Sequence, residues 1–486
     1  MPAKDYCGII RLGALAVALG ALASAACAQP VQHVQQLLAF DGVTNDEYGS
    51  EVASALSRIA VGSPRDADAG VQSGAIYMYK AGVSGSWSFQ QKILAPDATA
   101  NRFFGQRLAM SGGFGPATSL LAAGTPIDPD NGNQTGAVYM FIETPVVAAP
   151  WGFVKKIYSP SPQLNSRYGD GVDLENDLLI AGQPGNGHAF IHQRNEGGSH
   201  NWGSIATLLP PAPVFNVYAE SVGISGDVAI VSDRGDPTFG SSSGAAYIFT
   251  KDVGGLNNWG FTKKLLAPDG EAQDTFGLSV DVAGEFAACG AQGDDDLASR
   301  SGAVYLFARN AGGADNWGFH KKILPPIGHT DLFFGREVKM DGDLLLVGTY
   351  QDNTDGNNAG AAYVFGRDIG GADNWGLLTK VVSPDPMLGD HFAEGIAITG
   401  DIVTSGIRLD DDNGSNSGSA RVYVVKSLCP EDLNGDGMVD TADLGILIAA
   451  FGLSGLGDIN SDGVVDTADL GILIGGFSTI DCAFVS

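Results

Sequence analysis

Phe276-Gly277, then Gly302-Ala303-Val304-Tyr305, then Phe334-Gly335 is the stretch that decides the fold. The four-residue phrase returns at 74–77, 136–139, 244–247 and 360–363, with degenerate copies at Gly187-His188-Ala189-Phe190 and at 418–423. The aromatic-Gly phrase returns at Tyr48-Gly49, Phe104-Gly105 and Tyr168-Gly169, with Ala variants at Tyr218-Ala219 and Phe392-Ala393. Its last four copies start at 218, 276, 334 and 392, each 58 after the one before. Seven copies of each phrase in strict alternation define an internal repeat.

Each unit reads as four short strands. In the fifth, strand a covers 276–282, a tight turn follows at Ala283-Gly284, strand b covers 285–289, strand c 303–308 and strand d 318–324. Four-stranded units that cannot bury both faces alone are the mark of a propeller blade. The expected fold is therefore mainly β, a seven-bladed propeller over residues 33–427. The segment 34–40 resembles a strand d, and the last unit has a, b and c but no d. The N-terminal strand is expected to complete the seventh blade and so remove an unpaired edge.

Trp87, Trp151, Trp202, Trp259, Trp317 and Trp375 stand at the start of each strand d, one per unit, which reads as blade packing ahead of sugar stacking. The Lys pairs at 155–156, 263–264 and 321–322 read as solvated faces of outer strands. Acids gather in the b–c loops (Asp66, Asp128, Asp130, Asp294, Asp352, Asp410 among them) and the d–a loops (Asp46, Asp269, Asp274, Asp390). Both loop sets leave on one side of the ring, so one face is expected to be strongly acidic. No loop there holds a complete metal-ligand set.

The pattern over 34–425 resembles the FG-GAP repeats of integrin α-subunit propellers and of bacterial secreted proteins. It shares the aromatic-Gly phrase, the Gly-Asp turns at Gly226-Asp227, Gly342-Asp343 and Gly400-Asp401, and Gly-Ala-x-Tyr. The Asp-x-Asp-x-Asp-Gly loop of integrin blades is replaced here by a tight turn, so those calcium sites do not carry over.

The strongest chemical signal lies near the C-terminus. Asp432, Asn434, Asp436, Asp440 and Asp443 fall at positions 1, 3, 5, 9 and 12 of a loop, with Gly437 at position 6 and the Met438 carbonyl at 7. The copy is Asp458, Asn460, Asp462, the Val464 carbonyl, Asp466 and Asp469. Calcium takes six to eight hard oxygens, and a tight loop can aim alternate residues at one centre. Leu444, Leu447, Ile448 and Phe451 then mark one helix face, with stops at Gly452 and Gly476. The segment 429–482 resembles a type I dockerin, a small α domain of paired EF-hand-like loop-helix motifs. That resemblance implies two Ca2+ ions and a calcium-dependent anchor to a cohesin-like or cell-surface protein. Thr441-Ala442 and Thr467-Ala468 occupy the positions where that family carries its recognition pair.

Of five cysteines, Cys289 sits in an apolar strand, and Cys7 and Cys27 lie in an N-terminal leader. Lys4 and Arg11, an apolar stretch over 12–26 and Ala26-Cys27-Ala28 read as a signal peptide, residues 1–28. A lipoprotein anchor at Cys27 is the second reading. In a secreted protein Cys429 and Cys482 form a natural disulfide; closing a loop of about 53 residues is worth roughly 4 kcal/mol.

The 486 residues carry a net charge of −28, which repels phosphate backbones and argues against nucleic acid. The seven histidines give no metal-ligand spacing: on one strand His188 and His192 would be about 13 Å apart. No nucleophile motif occurs in its required context. The expectation is a secreted, non-catalytic calcium-binding interaction protein that does not span a membrane. A glycan-binding propeller is the alternative, with Tyr350 and Phe239 its exposed aromatics.

Overall fold

The computed structural model describes residues 31–425, except 83–84, 113–118, 145–148, 212–216 and 355–357, and then 433, 439, 441–453, 457, 459 and 464–476. The leader, Cys429 and Cys482 lie outside the described residues.

Among the described residues, twenty-eight strands form seven four-stranded antiparallel sheets, each in the order a-b-c-d. Blade 5 consists of Val280–Ala283, Phe286–Ala291, Ala303–Ala308 and Gly318–Ile323. Strand a starts later than the sequence suggests, because Phe276 pairs with Gly244 of the preceding blade instead. The same bridge joins Gly302 to Phe334, Gly360 to Phe392 and Gly418 to Tyr48. The two sequence phrases are thus the two halves of one joint between blades. Gly302 has φ +83, and a Cβ there would lie 2.1 Å from the Phe334 carbonyl oxygen. Only glycine fits such a backbone crossing.

Val31–Leu37 pairs with Ser419–Val425, from Val31 opposite Val425 to Leu37 opposite Ala420. The N-terminal strand therefore closes the seventh blade, as expected. The core lies between blades. One cluster joins Val228, Ile230 and Ile248 of blade 4 to Val280, Cys289, Tyr305 and Trp317 of blade 5. Burial of apolar area across each joint is what makes the ring cohere. All six tryptophans are buried, and the indole N–H groups of Trp151, Trp202, Trp259, Trp317 and Trp375 have no hydrogen-bond partner. They are packing residues. Cys289 is a buried core residue too.

The inner strands are capped across blades. Asp173 accepts the Ile224 N–H at 2.8 Å, and Asp281 accepts the Met340 N–H at 2.7 Å. These carboxylates satisfy edge N–H groups that would otherwise face the axis unpaired.

Helices α1 (Thr441–Ala450) and α2 (Thr467–Gly476) follow the two segments in which calcium loops are expected. Val439, Leu447, Val465 and Leu473 form their small core. Ile448 and Phe451, expected inside, are exposed. Each helix is ten residues long. Valines from the two loops fill the space that a wider helical stripe would otherwise cover. Among the described residues no helix is long and apolar enough to cross a membrane.

Candidate functional site

The loop face of the propeller is built from a repeated cluster. In blade 5, Tyr305 on strand c faces Lys322 on strand d. Above them the b–c loop lowers Asp294 into the blade. The Tyr305 hydroxyl lies 2.7 Å from Asp294 Oδ2 and 2.8 Å from Asp269 Oδ1. Lys322 Nζ lies 2.7 Å from Asp294, 3.0 Å from Asp269 and 2.6 Å from Asp296. Burial pulls the Lys322 ammonium down, but its three carboxylates outweigh this and hold it above its ordinary value. Burial also pushes the Tyr305 phenol up, and Asp294 adds to that. The cluster therefore sets a charged lysine and a neutral tyrosine among three aspartates.

Blades 1, 2, 4 and 6 repeat it with Asp66, Tyr77 and Lys92; Asp128, Tyr139 and Lys156; Asp236, Tyr247 and Lys264; and Asp352, Tyr363 and Lys380. Blade 2 adds Arg102, paired with Asp128 and with Asp130 at 2.7 Å. Blade 7 changes the partners: Arg421 stands where the tyrosine would, opposite Gln36 where the lysine would. Arg421 reaches Asp385 at 2.6 Å, and Gln36 donates to Asp412 at 2.6 Å. Blade 3 has none of it. Phe190 faces Thr207, and a short 3-10 turn, Pro184–Asn186, replaces the acidic loop.

One sequence expectation needs correcting. Lys156, Lys264 and Lys322 are not solvated side chains; they are the cations of these clusters. Lys155, Lys263 and Lys321 reach Asn201, Asn316 and Asn374 of the next blade. The loop face still carries more carboxylates than cations, since in blade 5 one lysine faces three aspartates. Oxygens of Asp97, Asp128 and Asp130 lie within 4.8 Å of one another, a spacing that could hold a metal. Lys156 and Arg102 already bridge those three carboxylates. Sequence reasoning missed Asp41, Asp97, Asp236 and the tyrosines as partners. The signal was present: Asp precedes Tyr by 11 positions in each cluster.

Around these clusters the face exposes apolar tips, among them Phe40, Val71, Leu164, Phe239, Leu297 and Leu388. At its centre the axial channel opens into a cavity of about 490 Å³, walled by charged side chains at the starts of the inner strands. The charges are linked in chains: Arg107 to Asp170 at 3.5 Å, Arg167 to Glu220 at 3.6 Å, Arg234 to Glu220 at 2.6 Å and Arg408 to Glu394 at 2.5 Å. Glu51 faces this mouth, where burial and then the charge of Glu337 push its carboxyl up.

His391 stands beside the axial cavity, its Nδ1 3.6 Å from Glu394. His192 is buried, with Nε2 2.7 Å from the Tyr168 hydroxyl, and burial lowers it to about 4.

In the C-terminal segment, the described members of the calcium set are Asp443, Val464, Asp466 and Asp469. Asp443 and Asp469 are fully buried. Asp443 accepts the Leu433 N–H at 2.7 Å, and Asp469 accepts the Ile459 N–H at 2.7 Å. The two copies thus draw the second residue of each loop onto the carboxylate at position 12 in the same way. Asp469 also accepts the Asp466 N–H at 2.8 Å, and Asp466 caps α2 through the Ala468 N–H at 2.7 Å. Asp432, Asn434, Asp436, Met438, Asp440, Asp458, Asn460 and Asp462 lie outside the described residues.

No curated protein matches the chain. The family described as FG-GAP repeat matches residues 31–79, 87–141, 259–307, 317–365 and 375–423. Each match runs from a strand d through the next blade's strand c, so the family unit straddles the joint described above. These segments make up just over half of the 486 residues, and the chain belongs to the FG-GAP repeat family.

Proposed function

We propose that this protein is an exported, non-catalytic interaction protein whose propeller is the binding platform and whose C-terminal pair is a calcium-dependent anchor to a cohesin-like or cell-surface partner. The loop face carries the platform reading. Its deepest acids are paired from within by lysine and arginine, and apolar tips stand exposed around them. The paired acids can be covered by a protein partner, and the exposed carboxylates of Asp68, Asp269 and Asp296 would face that partner's cations.

The anchor reading is supported by the matched hydrogen bonds of Asp443 and Asp469. The donor set is hard oxygen throughout and fits calcium. Asp432, Asn434, Asp436, Asp440, Asp443 and the Met438 carbonyl would hold one ion. Asp458, Asn460, Asp462, Asp466, Asp469 and the Val464 carbonyl would hold the other. A bound ion would tie each loop to the start of its helix. The Cys429–Cys482 disulfide would close the same segment.

Calcium titration of the intact chain by calorimetry tests this. Two sites are expected, and Asp443→Ala with Asp469→Ala should weaken them by at least about a hundredfold. An intact chain that takes up no calcium, or binding unchanged in the double variant, would overturn the anchor.

A further inference from the structure

Repeat symmetry identifies which residues the fold requires, so departures from it point to other uses. The residue after each strand b is Pro64, Pro126 and Pro184 in blades 1 to 3. In blade 6 it is Tyr350, which lines the axial cavity. The residue before the aromatic-Gly phrase is Glu47 in blade 1 and Arg167 in blade 3, but Phe103 in blade 2, Phe333 in blade 6 and His391 in blade 7. The rings of Phe333, Tyr350 and His391 form a run: Phe333 and Tyr350 are 5° from parallel at 6.1 Å, and Tyr350 and His391 are 5.1 Å apart. Arg300 covers Phe333 at 5.3 Å. These rings are half-buried; blade 2 repeats the phenylalanine as Phe103 but follows its strand b with Pro126, so it has no tyrosine to stack on that ring.

Beside this run lies a second cavity of about 300 Å³, formed by the loops around blade 5 and bounded by Phe333. Gln292 lines both; Tyr350 lines the first and Phe333 the second. The remaining walls offer hydrogen-bonding groups from Arg336, Glu337, Arg300 and Asp274. Two guanidinium groups nearby are already matched, Arg300 with Asp331 at 2.6 Å and Arg408 with Glu394 at 2.5 Å. An anion would find those two cations occupied and the carboxylates of Glu271, Asp274 and Glu337 around it. Paired guanidinium and carboxylate groups still carry spare N–H groups and lone pairs for hydroxyls. Aromatic faces beside planar polar side chains suit a molecule with C–H patches and many hydroxyls, because the rings cover its apolar faces while the polar groups take its hydroxyls.

We propose that the double cleft lined by Phe333, Tyr350, Gln292 and Arg336 binds a neutral oligosaccharide. The first cavity takes one or two sugar units against Tyr350, and the second takes the continuation against Phe333. The proposal is independent of the calcium anchor and of any protein partner.

Saturation-transfer NMR on the full chain tests it, with neutral tetrasaccharides as probes: β-1,4-glucan, β-1,3-glucan, β-1,4-xylan, β-1,4-mannan and α-1,4-glucan. At least one should receive saturation at millimolar concentration. Tyr350→Ala should weaken that probe about tenfold, the loss of a stacked ring and its apolar contact. Tyr350→Trp should keep binding, and Phe239→Ala, on blade 4, should leave it unchanged. No transfer to any probe overturns the proposal. So does a probe whose binding survives Tyr350→Ala with Phe333→Ala in a chain that melts at the wild-type temperature.

Discussion

In blade 5, Asp294 is buried beneath its loop with Lys322 and Tyr305 turned onto it. In blade 3 the loop is cut to a 3-10 turn, the tyrosine position holds Phe190 and the lysine position holds Thr207. All three members are lost together. A buried carboxylate costs stability unless its partners are present, and a buried lysine has no reason to stay once the carboxylate has gone. Blade 7 shows the same rule in another form. There the cation moves from strand d to strand c, with Arg421 replacing tyrosine and Gln36 replacing lysine. The acids Asp385, Asp410 and Asp412 stay within its reach. What recurs is the charge balance, and the residue types can trade places to keep it.

The comparison is broken most directly by Lys322→Met. It leaves Asp294, 4% exposed, without its ammonium. The expected loss is about 3 kcal/mol in urea unfolding, because removing one member of a buried pair strands the other. Converting the whole cluster toward the blade 3 pattern, with Asp294→Asn, Tyr305→Phe and Lys322→Met together, should return most of that loss. Lys156→Met in blade 2 should cost less than Lys322→Met, since Arg102 still pairs with Asp128. A Lys322→Met loss under about 1 kcal/mol would place the cluster among ordinary surface pairs.

Blade 7 gives a sharper and smaller test. Arg421→Tyr removes the cation there and puts a phenol where the other blades have one, with no lysine opposite. A loss of about 2 kcal/mol is expected. Adding Gln36→Lys rebuilds the common arrangement and should recover more than half, measured by the same unfolding curves. If the second change adds its own loss instead, the two positions are not coupled and the exchange of roles fails.

These clusters also show what could be read before the fold was in hand. The glycines were legible because the chain crossing at Gly302 and Phe334 admits no side chain, so the phrase must recur wherever a blade meets the next. Ring closure was legible because residues 34–40 repeat a strand d that the last unit lacks. The lysines were misread because charge on an outer strand ordinarily faces water. Nothing local tells Lys322 from Lys321; a loop folded over the former and an asparagine of the next blade beside the latter make the difference. Ile448 and Phe451 were misplaced because periodicity marks an apolar helix face but not how much of it the partner can cover.

The smallest expected effect concerns a position where one blade departs from its sisters to its own cost. The last residue of strand b is Ser63 in blade 1, Thr125 in blade 2 and Thr349 in blade 6. Each hydroxyl donates to a backbone carbonyl: Asp46 at 3.0 Å, Ala137 at 3.1 Å and Leu332. Blade 4 has Asp233 there, fully buried, and neither carboxylate oxygen has a hydrogen-bond partner. Burial, and then the neighbouring charge of Asp236, push this carboxyl up to about 7. A carboxyl raised in the folded state holds its proton more tightly there than in the unfolded chain. Stability is therefore lost as pH climbs from the ordinary carboxylate range through about 7, and the full cost is present above that. Asp233→Thr removes the titration and supplies the hydroxyl that the sister blades use. It should stabilise the protein by about 1 kcal/mol at pH 8, in line with the cost of an unsatisfied buried group. The gain should shrink as pH falls from 8 through the ordinary carboxylate range toward about pH 2, where the aspartic acid is neutral in both states. A gain that stays flat across this range would mean that Asp233 is ionised in neither condition or in both, and that its place in blade 4 is a matter of shape and not of charge.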